Sequence, residues 1–254
     1  MRRITSVCVL IILGLALLAD YHHLSLTAGL RASFAGDSSR PVYRTAPAEK
    51  VVALSFDDGP EPAYTLPALQ TLADKGARAT FFVVGSQAAK YPDIIREMTR
   101  QGHEVANHTW SHPDMVRITA GELLGEVKVT NQLIEGLTGN KNIYFRPPKG
   151  IISPEGRKAL FREGYQTIMW SICIENREAP TPREMVQRVL DNVSPGNIIL
   201  LHDGRLDRTK TVQALPLLLD GLKEKGYKTV TVGELLKVGE TAVPAAKSGI
   251  RNIP

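Results

Sequence analysis

A regular alternation of short apolar runs and helical segments, beginning at Val51, constrains the fold of this chain more than any other feature. Seven runs rich in β-branched and aromatic residues predict buried strands, and segments with helical start signals separate them. Strand followed by helix, repeated in this way, is typical of a parallel sheet closed or nearly closed into a (β/α) barrel. A doubly wound open sheet is the structural alternative. The predicted strands span residues 51–56, 79–85, 103–108, 143–147, 165–172, 197–202 and 227–232.

Capping boxes mark the start of three of the helices. In each box a threonine is followed three residues later by a glutamate, so that side chains and backbone can satisfy each other's hydrogen bonds. The pairs are Thr119 with Glu122, Thr181 with Glu184 and Thr231 with Glu234, and Pro182 takes the first position of the second helix. The first helix carries an apolar stripe at Leu123, Val127, Ile134 and Leu137.

The N-terminus predicts export. Arg2 and Arg3 precede an uncharged apolar stretch from Ile4 to Ala19, as in a signal peptide, but no clear cleavage site follows before Asp20. The stretch is slightly shorter than the about 20 apolar residues of a membrane span, so a cleaved signal peptide and an uncleaved membrane anchor both stay open. We therefore expect a secreted or membrane-anchored, extracytoplasmic protein. Its predicted parts are an export segment (1–20), a linker or stalk (21–49), one folded domain (50–238) and a flexible tail (239–254).

Composition excludes several classes of protein. With 43% hydrophobic and 22% charged residues, the 254-residue chain is neither disordered nor a disulfide-stapled miniprotein, and it has only two cysteines, Cys8 and Cys173. The net charge of +5 is spread along the chain without a block of like charges. Nucleic acid is therefore not expected as a partner, whereas an anionic cell-surface polymer or a membrane is compatible with this sign.

Charged side chains follow the predicted strands at the point where each strand ends. Asp57 and Asp58 follow the first strand, His108 ends the third, Arg146 lies at the end of the fourth, and His202 ends the sixth. In a barrel of this kind the active site is built at the carboxyl ends of the strands. We therefore expect carboxylates, imidazoles and a guanidinium to converge on one face of the barrel.

Three of these side chains suggest a metal site. On a helical turn, the spacing of His108 and His112 directs both rings to one side. For such a pair alone, two structural histidines near a turn are the simpler interpretation. Asp58 adds a carboxylate, and one carboxylate with two imidazoles is a three-ligand set that leaves a coordination position open for water. These donors favour Zn²⁺, while Co²⁺, Ni²⁺ and Fe²⁺ fit the same set.

The adjacent Asp57 and Asp58 are expected to have different roles, because neighbouring side chains of an extended chain point to opposite sides. If Asp58 binds the metal, Asp57 is free to act as a base. A strand end of the form Asp-Asp-Gly-Pro is also a common turn, so this motif alone leaves both interpretations open.

Four short motifs stand at the predicted strand ends: SFDDGP (Ser55–Pro60), HTWSH (His108–His112), RPPKG (Arg146–Gly150) and LLH (Leu200–His202). In order and spacing they resemble signature motifs of the polysaccharide deacetylases, the NodB homology domain of carbohydrate esterase family 4. The resemblance extends from Val51 to Leu236. It implies a distorted (β/α) barrel, often with seven strands, and metal-dependent removal of N-acetyl groups from an acetylated polysaccharide such as peptidoglycan or chitin.

The resemblance also implies a role for each motif residue. Asp57 resembles the catalytic base, His202 the catalytic acid, and Arg146 the residue that orients the base. Asp58, His108 and His112 resemble the ligands of one divalent metal ion, most simply Zn²⁺. In the substrate-binding set, Leu200 matches an apolar residue lining the acetyl site, Lys149 a backbone oxyanion donor, and Pro148 and Trp110 lie beside them in the motifs.

The fourth motif departs from the family pattern, which places two aspartates and a tryptophan after the fifth strand. Cys173, Asn176 and Arg177 stand at those positions here. Arg146 is thus left without its usual acidic partner, and Glu175 or Glu178 are the neighbouring carboxylates that can replace it. Cys173 itself is interpreted as core filler rather than as a nucleophile.

The leading functional hypothesis is a metal-dependent N-deacetylase acting on an acetylated amino sugar of a cell-wall polysaccharide. An O-acetyl esterase on the same metal site, acting for example on acetylated xylan, is the nearest alternative, because the same attack cleaves an ester. A non-catalytic carbohydrate-binding homologue, whose altered fourth motif marks lost activity, is the alternative from a different class.

Overall fold

The computed structural model describes residues 39–176 and 178–241 of the chain. The strands of this part are β1 (Thr45–Ala46), β2 (Val51–Asp57), β3 (Thr80–Val83), β4 (Glu104–Asn107), β5 (Tyr144–Phe145), β6 (Gln166–Thr167), β7 (Ile172–Cys173), β8 (Ile198–His202), β9 (Lys228–Val230) and β10 (Glu240–Thr241). The helices are α1 (Pro62–Asp74), α2 (Gly85–Lys90), α3 (Pro92–Arg100), α4 (Ala120–Thr138), α5 (Pro154–Arg162), α6 (Pro182–Asn192), α7 (Thr209–Glu224) and α8 (Val232–Val238). A 3-10 turn spans Pro148–Gly150.

Strands β2 to β9 form one parallel sheet that curls back on itself. Its hydrogen-bonded order is β6-β5-β4-β3-β2-β8-β7, and β9 pairs with the first residues of β2. The edge strands β6 and β7 follow each other in the chain with only residues 168–171 between them. Because consecutive Cα atoms lie about 3.8 Å apart, this short link holds the two edges close together. The predicted distorted (β/α) barrel is confirmed, and the open doubly wound sheet is not formed.

The run from Tyr165 to Ile172, predicted as one strand, contributes to two. Strand β6 pairs with β5 and strand β7 pairs with β8, at opposite ends of the sheet. Between them Ile168 makes a parallel bridge to Val42. The chain therefore changes pairing partner at this corner of the barrel, and such a change leaves no mark in the pattern of hydrophobic residues.

Strand β2 shows how the barrel separates its core from its site. Leu54 and its alternate neighbours pack outward, in one hydrophobic cluster with residues of α1 and α7. The other face begins inside the barrel with Val51 and Ala53, which cluster with residues of α8. The same inner face continues with Ser55 and Asp57, because side chains of a strand alternate between its two faces. The interior thus changes from apolar to polar toward the carboxyl ends of the strands.

All three predicted capping boxes are present, at the starts of α4, α6 and α8. In each, the threonine hydroxyl accepts from the backbone N–H of the glutamate, and the glutamate carboxylate accepts from the threonine N–H. The apolar stripe of α4 is buried at Leu123, Val127 and Ile134 and half-buried at Leu137. This helix packs against β4, the strand that precedes the two motif histidines.

The folded domain begins earlier than predicted. Val42 is 6% exposed and bridges Ile168, and β1 pairs antiparallel with β10, so residues 39–46 and 240–241 belong to the domain rather than to a linker and a tail. Burial of the apolar Val42 side chain stabilises the packing of this N-terminal segment on the domain. Some of the predicted parts lie outside the described residues: the export segment (1–20), the linker up to residue 38, Arg177 and residues 242–254.

Within the described ranges, none of the helices combines the length and apolarity needed to cross a membrane.

Candidate active site

The carboxyl ends of the central strands bring the predicted residues together. Asp57 ends β2 and His202 ends β8, and the two are register partners in adjacent strands. His108 and Arg146 directly follow β4 and β5. The Nδ1 atom of His108 hydrogen-bonds to the Arg146 carbonyl oxygen at 2.8 Å. Residues that are far apart in sequence therefore meet at one end of the barrel.

Arg146 is fully buried and fixes the Asp57 carboxylate. Its Nη1 atom donates to Asp57 Oδ1 at 2.7 Å and to Ser55 Oγ at 2.9 Å. Its Nε and Nη2 atoms donate to the carbonyl oxygens of Ile168 and Met169 at 3.3 and 3.0 Å. Burial lowers the pKa of the guanidinium, and the adjacent Asp57 carboxylate opposes that shift. The Arg146 guanidinium thus donates to acceptors on several sides, and one of its hydrogen bonds engages Oδ1 of the Asp57 carboxylate.

The carboxylate partner of Arg146 is Asp57, and the expectation that Glu175 or Glu178 fills this role is wrong. Glu175 pairs with His202, and Glu178 is exposed. Aromatic rings complete the environment of the guanidinium, whose Cζ atom lies 4.0 Å from the ring centroid of Phe82. Cation–π contact of this kind stabilises a desolvated guanidinium.

Asp58 departs from the extended conformation, with a φ of 77° in the left-handed region. The expectation that Asp57 and Asp58 point to opposite sides is therefore wrong. His108 Nε2 lies 3.9 Å from Asp57 Oδ2 and 3.6 Å from Asp58 Oδ1, so both carboxylates face the same imidazole. Sequence reasoning also missed Arg208, whose Nη2 atom lies 3.4 Å from Asp58 Oδ2.

The loop after β4 returns His112 to His108, but not through the predicted helical turn. Thr109 and His112 have positive φ angles of 70° and 54°, which reverse the chain within a few residues. The Thr109 hydroxyl accepts from the His112 backbone N–H at 3.1 Å. The two imidazoles meet edge to face with their centroids 5.2 Å apart. The expected proximity is reached by a different backbone path.

Asp58, His108 and His112 form a candidate metal centre. One donor atom of each lies within 4.8 Å of the others, and His112 Nε2 stands 3.2 Å from Asp58 Oδ1. The Arg146 carbonyl engages Nδ1 of His108 and leaves Nε2 for a metal, as outer-shell partners of ligating histidines do. Burial acts to raise the pKa of Asp58, but the two histidines outweigh this effect and the net shift is downward. The Asp58 carboxylate is therefore charged. The donor set fits one divalent cation.

His202 has a carboxylate partner that sequence reasoning did not assign to it. Glu175 Oε2 lies 3.1 Å from His202 Nδ1, and Oε1 accepts from the Thr211 hydroxyl at 2.8 Å. Burial lowers the pKa of His202, but the Glu175 carboxylate outweighs it, and the net shift is upward. The sequence marks Glu175 only as a carboxylate near the fourth motif, because residues 175 and 202 meet only in the folded barrel.

The 3-10 turn of the RPPKG motif packs against Trp170. Gly150 has a φ of 68°, and a Cβ atom on it would lie 2.7 Å from Trp170 Cη2, so the turn requires glycine there. The preceding Lys149 has a φ of 57° and an exposed side chain, whereas Pro148 is buried. The backbone N–H of Lys149, proposed as an oxyanion donor, is therefore presented by a left-handed residue inside a tightly packed turn.

The two other predicted substrate-binding residues differ in their surroundings. Leu200 is 3% exposed, lies on β8 and shares a strand face with His202 two residues later. Trp110 is half-buried and packs on Gly85 at the start of α2, where an added Cβ would lie 2.6 Å from Trp110 Cε3. Leu200 is thus on the inner face near His202, while Trp110 is part of the loop that carries two of the candidate metal ligands.

Comparison with known proteins identifies similar chains. A family model described as polysaccharide deacetylase matches residues 44–168. A peptidoglycan-N-acetylglucosamine deacetylase of Bacillus cereus is 38% identical over 196 residues, which cover 74% of this chain and 89% of that protein. The crystal structure of a peptidoglycan N-acetylglucosamine deacetylase superposes with a TM-score of 0.74 and 28% identity, covering 79% of this chain and 94% of the other. A family CE4 pseudoenzyme from Bacillus anthracis superposes with a TM-score of 0.72 and 31% identity, covering 78% of this chain and 69% of the other.

Proposed function

This chain belongs to the polysaccharide deacetylase family, and we propose that it is a metal-dependent N-deacetylase of a cell-wall polysaccharide. The observation that carries the proposal is the group of Asp58, His108 and His112 donors beside the buried pair of Arg146 and Asp57. Relatives named for peptidoglycan N-acetylglucosamine support peptidoglycan, or a chitin-like polymer with the same acetylated sugar, as the substrate.

The Asp57 carboxylate is suited to act as a general base. A divalent cation held by Asp58, His108 and His112 would polarise the acetyl carbonyl and make water a stronger acid. Arg146 occupies Asp57 Oδ1, so Oδ2, which lies 3.9 Å from His108 Nε2, is the oxygen facing the candidate metal ligands. Asp57 Oδ2 therefore accepts the proton of the attacking water.

His202 is suited to act as the general acid. An amine leaves a tetrahedral carbon readily only when it is protonated, and an imidazolium near neutral pH can supply that proton. The Glu175 carboxylate raises the pKa of His202 despite burial, so the ring keeps its proton to higher pH. The backbone N–H of Lys149 is the proposed donor to the oxyanion that forms on the acetyl oxygen.

The direct test is acetate release by the purified full-length protein, with and without a chelator. We expect release from peptidoglycan or from chitooligosaccharides, loss of release after complete metal removal, and recovery when Zn²⁺ is added back. Release that persists after verified metal removal would reject the proposed mechanism. Acetate release from acetylated xylan alone would identify the protein as an O-acetyl esterase instead.

Two observations favour a non-catalytic role, and the first is the structural likeness to a family CE4 pseudoenzyme. The altered fourth motif, with Cys173 at a position where the family has aspartate, points the same way. Asp57, Asp58 and His202 are all in place here and favour turnover. Binding of a carbohydrate polymer with no metal-dependent acetate release from any of the three substrates would establish the non-catalytic role.

The proposed site of action is outside the cytoplasm. The apolar stretch from Ile4 to Ala19 behind Arg2 and Arg3 supports export, and a cell-wall substrate requires it. Fractionation of cells expressing the full chain tests this directly. Activity in the medium or membrane fraction is expected, and its transfer to the cytosol on deletion of residues 1–20 would tie the location to this segment.

A further inference from the structure

A second group of metal-ligating side chains lies beside the candidate active site and consists of Cys173, Glu175 and His202. One donor atom of each lies within 4.8 Å of the others. Glu175 Oε2 stands 3.1 Å from His202 Nδ1 and 3.4 Å from Cys173 Sγ. We propose that these three side chains form a second cation site, selective for a thiophilic divalent cation such as Zn²⁺ or Cd²⁺, whose occupancy inhibits the enzyme.

Two of the three separations between donor atoms are close to those around a tetrahedral cation. Zinc–sulfur bonds of about 2.3 Å and zinc–nitrogen or zinc–oxygen bonds of about 2.0–2.1 Å place ligand atoms about 3.4 Å apart for N and O, and about 3.6 Å apart for S and O. The observed separations are only a few tenths of an ångström shorter. Small side-chain rotations therefore open the group enough to seat a cation.

Neighbouring groups hold the donors in these positions. Glu175 Oε1 accepts from the His202 backbone N–H at 3.2 Å and from the Thr211 hydroxyl at 2.8 Å, which directs Oε2 toward the other two donors. Arg188 Nη2 donates to the backbone carbonyl of Cys173. Such outer-shell bonds orient ligands at metal sites.

Nδ1 of His202 supplies a separate observation. This atom is buried, and among the described residues it has no hydrogen bond of good geometry, although the Glu175 carboxylate is near. A buried ring nitrogen without a well-formed hydrogen bond is costly, and a cation that replaces its proton would satisfy both Nδ1 and the Glu175 carboxylate. The side chains of His202 and Glu175 are 22% and 24% exposed, so a cation can reach the group from solvent.

The sulfur donor gives this site a preference that the Asp58 group lacks. Thiolate is a soft ligand, so Zn²⁺ and Cd²⁺ bind here in preference to Mg²⁺ or Ca²⁺. On binding, the Cys173 thiol releases its proton to solvent and the thiolate coordinates the cation. A cation on Nδ1 withdraws His202 from proton donation. The inhibitory consequence rests on the proposed role of His202, whereas the binding itself does not.

Cadmium titration of the full chain carrying Cys8→Ser, which leaves Cys173 as its only thiol, tests the binding. A thiolate-to-cadmium charge-transfer absorption should rise in the ultraviolet and saturate at one Cd²⁺ per thiol. Glu175→Gln and His202→Gln keep the thiol, and each should weaken Cd²⁺ affinity at least tenfold, as expected on losing a ligand. Asp58→Asn, the matched control at the other site, should leave the midpoint unchanged.

Absence of the absorption would overturn the site. So would an unchanged midpoint in either ligand variant whose melting curve shows that it is folded, because the thiol would then bind cadmium alone. A second measurement follows acetate release under excess Zn²⁺: the parent should lose activity, and Cys173→Ser should resist at the same concentration. Equal inhibition of both would remove the inhibitory role, whereas a chain that releases no acetate at all would count against the proposed function and leave the cadmium result standing.

Discussion

Glu175 and His202, which are 27 residues apart in sequence, form an ion pair in which Glu175 Oε2 lies 3.1 Å from His202 Nδ1. Burial opposes a charge on the imidazole, and the carboxylate overcomes that effect, so the pKa of His202 is raised. Glu175 itself is held by the Thr211 hydroxyl. Glu175 is thus a positioning residue that keeps the proposed general acid protonated.

Replacing this carboxylate should change the pH dependence of turnover. A general acid is active while protonated, so activity falls as pH rises through its pKa. In Glu175→Gln the pKa of His202 should drop, because the Asp57 charge is then left to oppose burial without the carboxylate of Glu175. The alkaline limb of the kcat profile should therefore move to lower pH. Glu178→Gln, a change at an exposed neighbouring glutamate, is the control and should leave the limb in place. An unshifted limb in Glu175→Gln would show that the pair does not tune His202.

The buried pair of Arg146 and Asp57 should couple strongly in stability. Arg146→Met leaves the Asp57 carboxylate buried without its cation and should lower the free energy of unfolding by about 3–5 kcal/mol. Adding Asp57→Asn to that variant should recover part of the loss, because the unpaired charge is removed. Denaturant unfolding measures both effects. Additive losses would contradict the coupling, and the exposed Arg100→Gln change should be nearly silent.

Asp203 should make the stability of the protein depend on pH. The side chain is 2% exposed, and burial, aided by the charges of Asp58 and Asp57, raises its pKa to about 7. The Thr65 hydroxyl, 2.6 Å from Oδ2, and the charge of His202 act against this shift but are outweighed. The folded state therefore binds a proton that the unfolded state releases, so stability falls as the pH rises from 3.8, the ordinary pKa of an aspartate, to about 7.

Asp203→Asn removes this penalty. Its Tm should exceed that of the parent at pH 8 and match it more closely near pH 4. The corresponding difference in the free energy of unfolding at pH 8 should be a few kcal/mol, because one pKa unit corresponds to about 1.4 kcal/mol. Asp207→Asn, which replaces an exposed aspartate whose pKa Thr209 lowers, should have the opposite sign. A parent protein whose Tm rises steadily from pH 4 to pH 8 relative to Asp203→Asn would contradict the buried protonated carboxyl.

Glu126 should control metal affinity from outside the metal centre. Its carboxylate accepts from the backbone N–H groups of Trp110 and Ser111 at 2.9 and 2.8 Å, and so holds the loop between His108 and His112. Glu126→Ala should weaken Zn²⁺ binding about 10- to 100-fold, as loss of outer-shell support does. Competition with a chelator measures it. Glu224→Ala, at an exposed helix end, is the control and should not change the Zn²⁺ affinity. Equal affinities in both variants would show that the loop between His108 and His112 keeps its conformation without Glu126.

Features that depend on neighbours in sequence were predictable here. The capping box of Thr119 and Glu122 involves residues three apart and appears as expected. The inner position of Asp57 also follows from strand periodicity, because β2 alternates between two faces. The barrel itself followed from the repeated order of strand and helix and from the strand-end motifs.

Features that depend on the folded context were not predictable. The left-handed φ of Asp58 reverses the expected direction of its side chain, and no periodic pattern reports a single left-handed residue. The sequence does not show that Glu175 pairs with His202 rather than with Arg146, because Glu175 approaches β8 only in the folded sheet. The place of Val42 in the domain is also hidden from the sequence, because its bridge to Ile168 joins residues 126 positions apart. The hydrogen bond from the Gln166 side chain to the Arg40 carbonyl oxygen spans the same distance along the chain.

The measurement that bears most directly on the proposed mechanism is metal content and acetate release in matched Asp57→Ala and Asp58→Ala variants. Asp57 is bonded to Arg146, whereas Asp58 stands 3.2 Å from His112 Nε2, so the two neighbours should fail in different ways. We expect Asp57→Ala to keep one divalent metal per chain and lose turnover, and Asp58→Ala to lose both metal and turnover. Equal metal content in the two variants, or undiminished acetate release by either, would contradict a base at Asp57 working beside a metal held by Asp58.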